Sequence, residues 1–236
     1  ATPYRRDGHQ PIITMQCGPI RHKITAKKNT ESLLKHKLIT RATSFSCSWS
    51  AEDKIHNLWP ALISDEERNQ MIFNDIMAVL EEKRSPIVLT ERKEHLEILK
   101  QKLEKFVKHI IVLHGGMKAG IRKEMIAKLT EIPCTEERLI LATGQYIGEG
   151  FDDPRLDTLF LVMPFSFKGK MVQYAGRLHR LHPGKIETRI YDYVDVNIPV
   201  LLRMYKRRLK AYKALEYKEG SSLSTNFLSK ALSDSE

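Results

Sequence analysis

Gln173, Gly176, Arg177 and Arg180 put an amide, a glycine and two guanidiniums into the short run Gln173-Tyr174-Ala175-Gly176-Arg177-Leu178-His179-Arg180. Gln173, Arg177 and Arg180 stand at i, i+4 and i+7, so a helix carries all three on one face. Gly176 beside them leaves room for close approach. Met171, Val172, Ala175 and Leu178 are placed to pack inward. Two guanidiniums on one face form a fork for a polyanion, with a nucleotide phosphate as the fitting case. Taken by itself, the stretch also reads as a solvated helix face.

A second polar motif is Ala142-Thr143-Gly144-Gln145-Tyr146-Ile147-Gly148-Glu149-Gly150-Phe151-Asp152, directly after an apolar run. Its glycines permit backbone turns and let amides approach phosphate or ribose. Glu149 and Asp152 are acids in a basic chain, suited to hydroxyl groups or to a charge contact that switches. Alone, such a loop is as easily a plain tight turn.

These residues need strands and helices to aim them. Asp65 or Ser64 caps a helix running to about Arg84. Pro86 to Thr90 is a short apolar strand, followed by a helix from about Lys93 to Phe106. Strands are expected over His109 to Leu113, Arg138 to Ala142, Leu156 to Met163 and Glu187 to Val194. Helices are expected over Ala119 to Thr130, Lys168 to Leu181 and Ile198 to Tyr217. Continuous apolar strands alternating with helices predict an α/β fold, a mostly parallel sheet covered on both faces. Ligands collect at the carboxyl ends of such strands. Ile12 to Met15 and Lys37 to Phe45 read as extended, and Lys23 to Lys35 as a loop with a short helix. Gly220 to Glu236, rich in Ser, reads as a poorly ordered tail.

The chain has 236 residues and a formal charge of +10, which points to a polyanionic partner. Residues 1–41 hold nine Lys/Arg against Asp7 and Glu31. A second basic block comprises Arg203, Lys206, Arg207, Arg208, Lys210 and Lys213. Cys17, Cys47 and Cys134 are few and far apart, which argues against a disulfide framework or a zinc site and fits a reducing, cytoplasmic compartment. His179 and His182 have no further ligand at metal spacing, so no metal site is expected. No apolar run is long enough to span a membrane.

Gln173, Gly176, Arg177 and Arg180 resemble the QxxGRxxR motif of superfamily 2 helicases. Thr143 to Asp152 resembles the motif preceding it in their second RecA-like domain. Pro86 to Arg92 is similar to the strand-end motif that touches nucleic acid, and Leu113-His114-Gly115-Gly116-Met117 to the loop after it. Ala1-Thr2-Pro3 resembles the end of the Ser/Thr-Ala-Thr motif closing the first domain. Arg5, Asp7 and Gly8 match a sequel seen in restriction-type and repair-type members. The nearest resemblance is to DEAD/DEAH-like helicases related to type III restriction subunits and repair helicases.

The resemblance implies a RecA-like fold. Residues 1–45 would be the end of the first RecA-like domain and its connection, and 46–197 the second domain. Residues 198–218 would form a basic C-terminal helix and 219–236 a flexible tail. It implies that Arg180 is an arginine finger toward ATP on the first domain, with Arg177 as companion. Gln173, Gly148, Glu149, Gly150 and Asp152 would lie at the nucleotide. Thr90, Arg92, His114, Gly115, Thr143 and Gly144 would lie at the nucleic-acid backbone. The implied cofactor is ATP with Mg2+, held mainly by the missing N-terminal domain. The implied partners are nucleic acid, with DNA ahead of RNA, and that domain, with room for a nuclease or other subunit.

No G-x-x-x-x-G-K-[ST] loop occurs: Gly169-Lys170 and Gly184-Lys185 are followed by Met171 and Ile186. Asp65-Glu66-Glu67 opens a polar helix and reads as a cap, not as a magnesium-holding pair. The start at Ala1 reads as a fragment, expected neither to bind ATP tightly nor to hydrolyse it alone. Two other readings compete with a helicase or translocase motor. One is a nucleic-acid-binding module of an inactive helicase-like scaffold. The other is an unrelated nucleotide-binding α/β enzyme.

Overall fold

The computed structural model describes residues 15–19, 21, 34–50, 54–144, 151–165 and 168–220. The expectations for Ala1 to Gly8, Ile12 to Thr14, Lys23 to Leu33, Gln145 to Gly150 and residues 221–236 lie outside them. Met15, expected to be extended, is helical instead, together with Gln16 and Cys17.

Strand β1 (Lys35–Thr43) comes first, followed by a 3-10 turn at Ile55–Asn57, helix α1 (Leu58–Ser64) and helix α2 (Glu66–Glu81). Then come β2 (Pro86–Thr90), α3 (Lys93–Leu103), β3 (Ile110–Leu113), α4 (Ala119–Glu131) and β4 (Leu139–Thr143). The chain continues through β5 (Thr158–Leu161), α5 (Lys168–Leu178), β6 (Glu187–Asp195), α6 (Pro199–Ala214) and β7 (Lys218–Glu219). The seven strands form one sheet in the order β3-β4-β2-β5-β6-β1-β7, and every pairing is parallel. This is the RecA-like arrangement expected from the alternation of apolar strands and amphipathic helices.

Alternate residues of each strand feed opposite layers, as the two-residue repeat requires. Ile87, Leu89, Ile140, Ala142, Leu159 and Leu161 face the side covered by α4, α5 and α6. Val88, Leu139, Leu141 and Phe160 face α2 and α3. Leu96, Leu99 and Leu103 follow helical spacing and are buried; each contributes roughly 1.5–3 kcal/mol by leaving water. The side chain of Asp65 accepts the Arg68 N–H at 2.7 Å, so the acidic run does cap α2.

Two of the described segments join this sheet through contacts distant in sequence. Residues 35–43, assigned from the sequence to the connection between domains, pair with β6 along all nine positions. They therefore belong to the sheet, and a boundary after residue 45 would cut just behind one of its strands. Helix α6 is likewise seated on the sheet, because Arg208 is buried against Asp192. Gly220 extends that attachment by donating its N–H to the Leu38 carbonyl at 2.8 Å.

Candidate functional site

The carboxyl ends of β2, β3 and β4 lie side by side, and six sequence-predicted residues end or follow them: Thr90, Arg92, His114, Gly115, Thr143 and Gly144. Thr90 and Thr143 are register partners across β2 and β4. The Gly115 N–H donates to the Thr143 hydroxyl at 3.1 Å, tying the loops after β3 and β4 together. His114 closes its own turn, Nδ1 to the Gly115 carbonyl at 2.9 Å. Gly116 sits at φ +88°, where a side chain is strained, so the turn depends on glycine here.

Thr90 points inward. It is 1% exposed, and its hydroxyl accepts the Arg92 N–H at 3.2 Å. That hydroxyl also lies 3.2 Å from His95 Nδ1, while His95 Nε2 lies 3.1 Å from Asn69 Oδ1. An amide oxygen only accepts, so His95 donates from Nε2 and accepts the Thr90 proton at Nδ1. Asn69 then donates to the Ile63 carbonyl at 2.8 Å. Burial, with the Arg68 charge adding to it, holds His95 down to about 3 and keeps it neutral for this relay. The relay fixes the backbone at Arg92 from inside the protein, so Thr90 positions the rim loop. Arg92 itself is half-buried, with Nη2 3.5 Å from His56 Nδ1, ahead of α1.

Gly144 is enclosed. A Cβ there would collide with the Tyr174 hydroxyl and stand 2.7 Å from a Glu91 carboxylate oxygen. Tyr174 rises from α5, is 2% exposed, and its hydroxyl has no hydrogen-bond partner among the described residues. Burial, reinforced by the Glu91 charge, pushes that phenol well above its ordinary range. Neither Tyr174 nor Glu91 was singled out from the sequence. The signal for Tyr174 was its position next to Gln173, on the side of the helix that packs.

The arginine helix differs from expectation at its end. Met171, Ala175 and Leu178 are buried as predicted, with Tyr174 in place of half-buried Val172. The helix stops at Leu178, short of Leu181, so Arg180 stands in the bend after it and helical periodicity does not place it. The cause is local. Leu181 is 62% exposed and finds no core, Pro183 disfavours helical backbone before it, and Lys185 Nζ takes the Arg180 carbonyl at 2.8 Å. Lys185 also donates to the carbonyls of Pro154 and Leu156, ahead of β5. Arg180 thus lies toward the amino ends of the strands, away from the rim of Thr90 and Thr143. There its Nη2 meets Asp152 Oδ2 at 3.0 Å, both side chains about half exposed. Arg177 borders a small apolar crevice with Ile87, Leu156 and Leu159. Gln173 and Gly176 are exposed, and nothing lies within 4 Å of a Cβ built on Gly176.

The predicted residues therefore gather in two places. Thr90, Arg92, His114, Gly115, Thr143 and Gly144 make up the carboxyl rim, while Arg180 pairs with Asp152 on the far side and half-buried Arg177 lies on α5 between. Gly148, Glu149 and Gly150 lie outside the described residues. Among the described residues no three His, Cys, Asp or Glu side chains are placed to hold a metal ion, and no helix is long and apolar enough to cross a membrane.

Residues 70–182 match the family model of the helicase conserved C-terminal domain. "Putative helicase 161L" of Invertebrate iridescent virus 6 is 27% identical over 224 residues, covering 90% of this chain and 48% of that protein. An uncharacterized protein of Invertebrate iridescent virus 3 is 35% identical over 78 residues, 33% of this chain and 70% of its own length. The chain spans about a third to a half of the longer curated relatives it matches. T4 UvsW superposes with a TM-score of 0.59 at 15% identity, over 81% of this chain and 42% of that one, a likeness of fold alone. Over residues 70–182 this chain thus matches the helicase conserved C-terminal domain.

Proposed function

We propose that this chain is the second motor domain of an ATP-dependent nucleic-acid helicase or translocase. In this reading it supplies guanidiniums to ATP held by an N-terminal RecA-like domain and grips the nucleic-acid backbone with its own carboxyl rim. The observation that carries the reading is the division of the polar residues. The six residues assigned to nucleic acid share one rim, while Arg177, Arg180 and Asp152 sit apart from it on the side of α5. A motor needs such separation, because nucleotide and track must be held at once and released in turn.

Arg180 suits a phosphate contact. Its guanidinium pairs with Asp152, and an ion pair this exposed contributes about 0–1 kcal/mol. Exchange of that carboxylate for a phosphate oxygen is therefore inexpensive, and the guanidinium remains charged throughout. Asp152, released, can accept from a hydroxyl. Gln173 and Gly176 leave the outer side of α5 open to a facing domain. ATP with Mg2+ supplies the phosphoanhydride whose hydrolysis drives such motors, and without a phosphate-cradling loop this chain contributes only part of that pocket. On the rim, backbone N–H groups, Arg92 and His114 suit phosphates and read no base edges, so the track is gripped without sequence preference. The reading favours DNA over RNA, a cytoplasmic location, and affinity to the restriction- and repair-type branch on the sequence motifs alone.

The test is nucleic-acid-stimulated ATP hydrolysis by the full-length protein carrying this chain. Arg177→Ala and Arg180→Ala are expected to lower turnover by roughly three to five orders of magnitude, the range for a lost arginine finger, with nucleic-acid binding retained. Unchanged turnover in both variants rejects the proposal. The isolated chain is expected to show no turnover, and hydrolysis by it that survives Arg180→Ala counts equally against it.

A further inference from the structure

Helix α6 carries Arg203, Lys206, Arg207, Arg208, Lys210 and Lys213 and contains no Asp or Glu. The six bases do not behave alike. Arg208 is 3% exposed and serves the fold: Nε and Nη2 donate to the two oxygens of Asp192, each at 2.8 Å, and Nη1 donates to the Phe165 carbonyl at 2.7 Å. Tyr205, Ala211 and Tyr212 are buried on the same side. This clamp fixes the rotation of α6 about its axis. Arg203, Arg207, Lys210 and Lys213 are left exposed on the other side, and none makes an ion pair among the described residues.

A helix face kept only for solubility usually interleaves acids and bases, because pairs at i and i+4 attract when opposite and repel when alike. Here Arg203 and Arg207 stand at that spacing, Arg207 and Lys210 three apart, and no acid of the helix relieves them. An anion from outside the helix relieves that repulsion, and a row of cations matches a row of anions. From Arg203 to Lys213 the axis advances about 15 Å, about four steps along one nucleic-acid strand.

The placement of the row connects it to the rim. Helix α6 starts right after the carboxyl end of β6. Its first turn packs Ile198 and Leu201 with Leu58, Trp59 and Leu62 of α1. His56, just before α1, meets Arg92. The short α1 segment, with exposed Lys54 and His56 ahead of it, thus bridges Arg92 and the first turn of α6.

We propose that Arg203, Arg207, Lys210 and Lys213 form a second phosphate-binding stripe, which extends the track beyond the carboxyl rim along the outer face of α6. The proposal rests on the nucleic-acid reading above and names a surface that reading does not require. The stripe binds the phosphate backbone by charge, with no base readout.

The test uses the full-length protein and fluorescence anisotropy with a labelled oligo(dT) strand and a mixed-sequence duplex, titrated between 50 and 200 mM salt. The variant is R203Q/R207Q/K210Q/K213Q, compared with Arg92→Gln and the parent. Each phosphate contact contributes about 0.9 to the slope of log affinity against log salt on duplex and about 0.7 on single strands. For two to four contacts the variant's slope is expected to flatten by about 2–4 on duplex, with affinity at 0.1 M salt falling by about 100-fold or more. Thermal unfolding is expected to stay at or above that of the parent, since like charges are removed. Weaker binding with an unchanged salt slope overturns the stripe, because it signals a structural effect. If Arg92→Gln weakens binding and the stripe variant does not, the stripe is a solvated face and the motor reading stands. If neither variant alters binding, the nucleic-acid reading fails with it.

Discussion

Asp192 is the residue on which the seating of α6 depends, and its removal is expected to be among the costliest single changes in the molecule. It is fully buried in β6, takes two charged hydrogen bonds from Arg208 at 2.8 Å and accepts from the Tyr212 hydroxyl at 2.5 Å. In Asp192→Ala, Arg208 keeps only the Phe165 carbonyl, and a guanidinium remains in the interior without its counter-charge. Breaking a buried pair on one side costs about 3–5 kcal/mol. For a chain of this size each kcal/mol lowers Tm by about 2–4 °C, so a fall of roughly 6–20 °C is expected. Arg208→Met alone leaves Asp192 with Tyr212 as its donor and is expected to cost a similar amount. The informative measurement is the double-mutant cycle by urea unfolding, with Asp192→Leu, Arg208→Met and both together. The joint replacement removes both charges, so it is expected to lose less than the sum of the singles by at least about 2 kcal/mol. Additive losses, or single losses below about 1 kcal/mol, would show that the pair is not the clamp inferred here.

Other expectations follow from the rim and the far side. Gly144→Ala is expected to destabilise through collision with Tyr174, and Tyr174→Phe, which removes the orphan hydroxyl, should recover part of that loss; equal stability of Gly144→Ala and parent in thermal unfolding would exclude the contact. Thr143→Val should cost about 1 kcal/mol, since the Gly115 N–H loses its acceptor, and should raise amide exchange at Gly115. His95 is held at about 3 against an ordinary 6.5, so the unfolded chain binds more protons between those values. Stability is therefore full above about 6.5 and is lost as pH falls toward 3, with a slope of at most about 1.4 kcal/mol per pH unit from this residue. His179, lowered by burial to about 4, acts with the same sign. His95→Gln should flatten the decline measured by urea unfolding between pH 6 and 4, and an unaltered decline would mean that His95 does not carry it. Asp152→Asn should change thermal stability by less than about 1 kcal/mol, because its partner is half exposed.

The order of elements was legible in the sequence because hydrophobic period and capping chemistry are local. Pro86 to Thr90 is an uninterrupted apolar strand, Asp65 accepts the N–H three residues on, and Leu96, Leu99 and Leu103 recur at helical spacing; each signal lies within a turn or two of the residue it predicts. The same holds for the motif residues, whose types and order pointed to a helicase C-terminal domain. Three things were decided by contacts between segments distant in the chain. Residues 35–43 look like any extended stretch until β6, some 150 residues later, offers them a partner. Arg208 is one base among six until Asp192 is found beneath it, and only then does the exposed row on α6 acquire a direction. Arg180 continues the helical spacing of Gln173 and Arg177, yet the chain leaves the helix at Leu178, because Lys185 takes its carbonyl and Leu181 has no core to enter. Local sequence thus determined which residues could do chemistry and on which elements they ride. Burial and long-range pairing determined which way they face, since a side chain's orientation is set by the neighbours that exclude it from water or return its hydrogen bonds.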